Sequence, residues 1–300
     1  LNRVAVKGKP LNQKLRFERY KNRTDDPNSI SDNRVYKLYR SRDGVFWIGT
    51  YGGGLNSFNP ITRKFKRYPI NAGQDDKFNI QNLMTILEDS DGIMWLGSYG
   101  GSLTSFDRKT EKFKRYSFQE ELTSGVVYGI LENNSKNIWI SSDNGIFKLN
   151  LKSKEIKRYD IQDGLQSLEY SGGAYFKDFE GKLYFGGING FNYFDPAKIK
   201  SNTYIPPVVI TAVKVLNEHV KGDRKELILD YKKNFISFEF SSLDFSDPQD
   251  NQYSFILEGL QDEWQLTESS SRIATYTNLR PGTYTFKVRG SNSEGVWSEN

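Results

Sequence analysis

The sequence has no cysteine and a single histidine, His219, in 300 residues. Without cysteine there is no disulfide framework, no thiolate zinc site and no cysteine nucleophile. One imidazole excludes any site that needs two and leaves little room for Ser–His or metal–His chemistry. His219, between Glu218 and Val220, is expected in a loop between strands. No catalytic residue, metal-ligand set or cofactor motif is expected. Long apolar runs are also missing. The longest, Ile205 to Leu216, is broken by Pro206, Pro207 and Lys214 and falls short of a membrane span. The excess of one charge sign is small: 42 basic against 37 acidic residues leave a net +5. That suits an anionic ligand or bilayer but is far from a nucleic-acid footprint.

What the chain does have is aromatic side chains and glycine. Aromatics make up 14% of it, and there are 26 glycines. Aromatics fit pleated, half-buried surfaces and glycine supplies turns, so the balance leans to all-β. The length suits two domains.

A repeat organises the first two thirds. VYKLYRSRDGVFW (Val35 to Trp47), LMTILEDSDGIMW (Leu83 to Trp95), VYGILENNSKNIW (Val127 to Trp139) and GGAYFKDFEGKLY (Gly172 to Tyr184) align without gaps. The last aromatic of each lies 48, 44 and 45 residues after the one before. The first three units end in KFKRY, KFKRY and EIKRY. In the first unit, strands are expected at Tyr36 to Tyr39, Val45 to Tyr51, Leu55 to Phe58 and Lys64 to Tyr68. Four short strands per 40–45 residues is the period of a β-propeller blade. Leu1-Asn2-Arg3 matches Leu55-Asn56-Ser57, and RFERY (Arg16 to Tyr20) matches KFKRY. The expectation is therefore the end of an incomplete blade at 1–20 and four blades at 21–203. Upstream chain would supply further blades and the outer strand that the fourth unit lacks.

Beyond Pro206-Pro207 a different pattern begins. Strands are expected at Val208 to Val215, Glu226 to Leu229, Phe235 to Phe240, Tyr253 to Glu258, Arg272 to Thr277 and Thr283 to Arg289. This predicts an immunoglobulin-like or fibronectin III-like sandwich at 204–300, cut short at its end. The chain as a whole reads as a piece of something longer.

The motifs that invite a chemical reading have simpler ones. Ser41-x-Asp43-Gly44-x-x-Trp47 and Ser90-Asp91-Gly92-x-x-Trp95 resemble the Asp-box turn of sialidases, which is itself a structural turn. The tracts Gly52 to Gly54 and Gly100-Gly101 open strands, not helices, so they lack the helix N-terminus of a phosphate cradle. The Lys-Arg-Tyr phrases could stack nucleic-acid bases, but outer-strand edge protection explains them more cheaply. No carboxylate pair is expected at the 5–10 Å spacing of glycoside hydrolysis. Binding positions should break the repeat instead. The loop leading into each inner strand does so, and Asn33, Arg34, Gln81, Asn82 and Tyr170 are the candidate ligand-binding residues. Amides, a guanidinium and an aromatic ring are the groups that hold sugars.

The W-I/L-G-T/S-Y-G-G phrases, GKLYFGGINGFNYFDP (Gly181 to Pro196) and PPVVIT resemble the two-component regulator propeller of hybrid two-component sensors. YSFILEGLQDEW (Tyr253 to Trp264) and YTNLRPGTYTFKVRGSN resemble the three-tyrosine (Y_Y_Y) sandwich that follows it. The resemblance implies the periplasmic sensor of a Bacteroidetes membrane histidine kinase. It would be non-catalytic in itself, bind an oligosaccharide, act as a homodimer, precede a transmembrane helix and control polysaccharide-utilisation genes. No direct contact with nucleic acid is expected. The alternatives are a propeller glycosidase or polysaccharide lyase with an accessory sandwich, and a scaffold that binds only protein.

Overall fold

The structure is a computed structural model. It describes residues 2–4, 17–68, 81–100, 103–116, 125–200, 202–220, 222, 226–230 and 232–299. Every regular element among them is a strand. The chain divides into two units, Leu1–Lys198 and Ile199–Asn300, so the division falls five residues before the expected 203/204.

The first unit consists of antiparallel blades. A two-stranded sheet pairs β1 (Asn2–Val4) with β2 (Phe17–Arg19). Blade 1 is β3 (Val35–Arg40), β4 (Phe46–Thr50), β5 (Gly54–Asn59) and β6 (Lys64–Tyr68). Blade 2 is β7 (Leu83–Glu88), β8 (Met94–Ser98), β9 (Leu103–Asp107) and β10 (Lys112–Tyr116). Blade 3 is β11 (Val127–Glu132), β12 (Asn137–Ser142), β13 (Ile146–Asn150) and β14 (Ile156–Tyr159). The fourth sheet has three strands, β15 (Tyr170–Lys177), β16 (Leu183–Gly187) and β17 (Gly190–Phe194). The register of the first pair, Asn2 opposite Arg19 and Val4 opposite Phe17, repeats that of β5 and β6, where Asn56 faces Arg67 and Phe58 faces Phe65.

Blades hold together by stacking faces. Strands β8 and β12 are buried almost throughout because sheets cover both sides. Trp95 of blade 2 packs into a cluster with Val127, Ile130, Ile138, Ile140 and Phe147 of blade 3. Close approach demands glycine at Gly97. A Cβ there would lie 2.6 Å from Thr85 Cγ2 and 2.8 Å from Val127 Cβ. Polar ties run in the same direction. Glu88, at the end of β7, accepts from Arg42 N at 2.9 Å in the turn of blade 1. Glu132, at the end of β11, accepts from Ser90 N at 2.7 Å and Ser90 Oγ at 2.6 Å in the turn of blade 2. In the fourth blade the equivalent Lys177 donates to Glu132 O at 2.9 Å.

The basic-aromatic phrases are architecture. Tyr68, Tyr116 and Tyr159 each pack on the tryptophan of their own blade, with ring centroids 5.4, 5.0 and 5.4 Å apart. Arg67 donates to the carbonyls of Ser29 at 2.8 Å and Asp26 at 2.9 Å, fastening the loop before β3. The turn after each inner strand is fixed by the residue six before the aromatic. Asp89 Oδ1 accepts from Asp91 N at 3.0 Å and Ile93 N at 2.9 Å, while Asp89 Oδ2 accepts from Trp95 Nε1 at 2.7 Å. Asp178 serves Tyr184 OH in the same way at 3.0 Å, and Ser41 Oγ serves Trp47 Nε1 at 3.2 Å. The buried anchor in blade 2 is therefore Asp89 rather than the Asp91 of the Asp-box-like phrase.

The second unit is a sandwich. One sheet orders β19 (Glu218–His219), β18 (Val208–Val215), β20 (Ile236–Ser242) and β23 (Ile273–Tyr276). The other orders β22 (Gln265–Glu268), β21 (Gln252–Glu258) and β24 (Thr285–Gly290). Its core gathers Phe240, Tyr253, Phe255, Leu257, Ala274 and Tyr276, with Phe238 stacked on Phe286 at 4.1 Å across the two sheets. Three tyrosine hydroxyls fasten a strand end and two loops to this core. Tyr253 OH accepts from Ser242 N at 3.1 Å, Tyr276 OH donates to Gln261 Oε1 at 3.1 Å, and Tyr284 OH donates to Arg280 O at 2.9 Å.

Three expectations for this unit need correction. Glu226 to Leu229 forms no strand, and Ile228 is 92% exposed, so its apolar residues find no sheet to join. His219 lies in the short strand β19, exposed and paired with Lys214, rather than in a loop. Strand β22 was unexpected: it is a four-residue edge whose Leu266 faces solvent, so no alternating pattern marks it.

Candidate functional site

All four inner strands break register at the same place. The shift falls between Val35 and Lys37, Leu83 and Thr85, Val127 and Gly129, and Tyr170 and Tyr175. A β-bulge leaves one residue unpaired and re-aims its side chain. The residues so released are Tyr36, Met84 and Tyr128. They lie at the end of each blade where the inner strand begins and the second strand ends. The residue after each second strand joins them: Tyr51 bridges to Asn82, and Tyr99 bridges to Val126.

The result is an aromatic rim. Tyr36 and Tyr51 stack at 5.4 Å, and the Arg34 guanidinium lies 5.2 Å from the Tyr51 ring centroid. Tyr36 is 56% exposed and Tyr99 51% exposed. Burial pushes the Tyr128 hydroxyl above the ordinary phenol range, with Asp143 and Glu169 adding to it. Arg34 does not offer a free charge. Its Nε and Nη2 donate to Asp32 at 3.1 and 3.0 Å, and this hydrogen bonding holds the Asp32 carboxyl below the usual carboxylate range. Asp143 Oδ1 is taken by Val126 N at 2.9 Å.

The five candidate residues separate. Arg34 stands on the rim, its side chain 60% exposed. Asn33 Oδ1 accepts from Asn22 N at 2.9 Å, which ties it to the preceding loop. Gln81 and Asn82 use their backbone as framework: Gln81 O accepts from Gly52 N at 2.9 Å and Gly54 N at 3.0 Å, and Asn82 O accepts from Tyr99 N at 2.9 Å. Tyr170 is buried, 2% exposed, with its hydroxyl donating to Asn192 Oδ1 at 2.8 Å, so its ring face is not available to a ligand. The reason is register. Tyr170 pairs with Gly187 as Val35 pairs with Thr50, and Tyr175 pairs with Phe185 as Leu38 pairs with Ile48. Five residues separate the two points in β15 against three in β3, so an ungapped alignment misplaces Tyr170 by two positions. The structural counterparts of Asn33 and Arg34 in the fourth blade are Leu168 and Glu169.

The rim tyrosines escaped sequence reasoning because they sit inside aligned strands. No signal set them apart: the second aligned position reads Tyr36, Met84, Tyr128 and Gly173, and the third, Lys37, Thr85, Gly129 and Ala174, varies more.

The described residues thus form propeller blades and a sandwich, with polar and aromatic side chains at the start of the inner strands. The sequence places the chain further. Residues 29–52 and 77–100 match the two component regulator propeller model, and residues 244–300 match the Y_Y_Y domain model. The chain thus combines two component regulator propeller repeats with a Y_Y_Y domain. It is 36% identical over 185 residues to histidine kinase P4 of Formosa agariphila, covering 58% of this chain and 13% of that protein. It superposes with TM-score 0.81 and 27% identity on the extracellular domain of the hybrid two component system BT3049 of B. thetaiotaomicron, over 97% of this chain and 40% of that one. The chain spans less than half the length of either relative. It has the architecture of the extracellular region of two-component sensors.

Proposed function

We propose that this chain is the ligand-sensing region of a membrane histidine kinase, that it lies in the periplasm, and that its ligand is an oligosaccharide. The observation that carries the ligand reading is the bulge-aimed rim. Exposed tyrosine faces suit the apolar face of a pyranose, and the Arg34–Asp32 pair offers donors and acceptors to hydroxyls. The likeness to an extracellular sensor domain over 97% of the chain supports the sensor role. In this reading the ligand biases one of two arrangements of a homodimer, and the bias reaches a following transmembrane helix as a population shift that controls polysaccharide-utilisation genes.

The test is calorimetric titration of the full-length protein against neutral and acidic oligosaccharides, with the sugar recovered and sized afterwards. Saturable heat with intact sugar supports the reading. Shortened sugar would replace it with a glycosidase or lyase, and saturable binding of a protein with silence to every sugar would replace it with a scaffold.

A further inference from the structure

We infer that Lys37 is an anion site at the floor of the rim, and that the oligosaccharide carries a carboxylate or a sulfate ester. This rests on the sugar-binding reading above and names the class of sugar.

Lys37 follows the bulge residue Tyr36 on β3, so at about 3.3 Å per residue it lies one step along the strand from the rim. Its Nζ donates to Tyr175 OH at 2.6 Å and stands 4.8 Å from the centroid of that ring. Tyr175 belongs to the fourth blade. Its hydroxyl also lies 2.8 Å from Thr85 Oγ1 of blade 2, a residue 0% exposed. The ring reaches that far because it passes Gly129 of blade 3, where a Cβ would be 2.5 Å from Tyr175 Cδ1. Four inner strands therefore meet around one tyrosine side chain, whose hydroxyl accepts from the Lys37 ammonium.

That ammonium is under-compensated. It has three donors, and the phenol oxygen uses one. Its partners are neutral, and among the described residues no carboxylate pairs with it. Lys66, Lys136 and Lys182 by contrast have acids, in Glu111, Asp91 and Glu180. Among the described residues no rim carboxylate forms an ion pair with Lys37: Asp32 is committed to Arg34, Asp143 Oδ1 accepts from Val126 N, and Glu169 acts with Asp143 on Tyr128. A half-buried cation beside neutral groups is costly unless an anion completes it. A sugar stacked on Tyr36 would present a ring carboxylate or sulfate within reach, and a charge-assisted bond there is of the strong kind.

The test uses the full-length protein and three sets of tetrasaccharides: neutral (cello-, xylo- and mannotetraose), carboxylated (tetragalacturonate) and sulfated without uronic acid (κ-carrageenan tetrasaccharide). Wild type is expected to bind within an acidic set, and which set responds separates carboxylate from sulfate. Lys37→Met should weaken that binding about 10- to 100-fold, and Lys37→Arg should restore most of it. Tyr175→Phe, which keeps the ring and removes the hydroxyl, should bind acid at least as well as wild type. Binding confined to the neutral set overturns the anion site and leaves the sugar reading standing. Equal acid binding by Lys37→Met, or a loss in Tyr175→Phe as large as in Lys37→Met, reduces the pair to a structural staple. Silence across all three sets overturns the sugar reading, and this inference with it.

Discussion

Trp95 Nε1 donates to Asp89 Oδ2 at 2.7 Å, and both residues are only 2% exposed. One carboxylate thereby closes the turn of blade 2 and satisfies its central indole. Blade 3 has the same geometry with an amide. Asn133 Oδ1 accepts from Ser135 N at 3.0 Å and Asn137 N at 2.9 Å, and the buried Trp139 Nε1 has no hydrogen-bond partner among the described residues. An amide has one acceptor oxygen, and its nitrogen can only donate.

That difference gives a paired prediction. Asp89→Asn should cost about 1–3 kcal/mol, because the indole N–H then meets a second donor. Asn133→Asp should stabilise by about 1 kcal/mol by supplying the missing acceptor. Urea melts of the two variants check it. Destabilisation by Asn133→Asp would mean that burying the carboxylate outweighs the indole bond.

Blade stacking makes a second prediction through glycine. Gly97→Ala drives a methyl into Val127 and Thr85 and should cost at least about 3 kcal/mol, at the top of the overpacking range. Gly92→Ala meets nothing within 4 Å but imposes a side chain on φ +84°, for about 1–2 kcal/mol. Adding Val127→Ala should recover part of the first loss and none of the second. A double-mutant cycle reads the coupling.

Alkaline pH should test burial in both units. Burial pushes Tyr170 and Tyr276 up to about 12, against 10 for an open phenol. Below pH 10 both are neutral whether folded or unfolded, so their full contribution is present. From pH 10 the unfolded chain loses protons that the folded chain keeps, so stability should fall between pH 10 and about 12. Tyr170→Phe and Tyr276→Phe should each make that fall shallower in thermal melts. An unchanged slope in both would contradict the assignment.

Much of the fold was legible because the repeat exposes it. Lys64–Tyr68, which alternates apolar and basic residues, and Val208–Val215, just beyond the Pro206-Pro207 linker, are strands with the expected bounds. Legibility ended where backbone geometry departs from the pattern. Two extra residues in β15 shifted Tyr170 from its apparent place on the rim into the core. The bulges turned Tyr36 and Tyr128 from framework positions into rim positions, which no ungapped alignment can display. Of the candidate residues Arg34 stands openly on the rim, while Asn33, Gln81 and Asn82 are used by neighbouring backbone. The Lys37–Tyr175 contact spans 138 residues and four blades, beyond any local spacing.

In the proposed function the rim is the place where sugar binds. The most direct measurement is calorimetric titration of wild type and Tyr36→Ala/Tyr99→Ala against the best-binding oligosaccharide, with melting curves of both. Both rings are more than half exposed, so their loss should leave the melting temperature nearly unchanged. The double variant should weaken binding about 30-fold or more, each ring acting as a stacking anchor. Equal affinity in the two proteins would contradict that reading and move the ligand away from the rim.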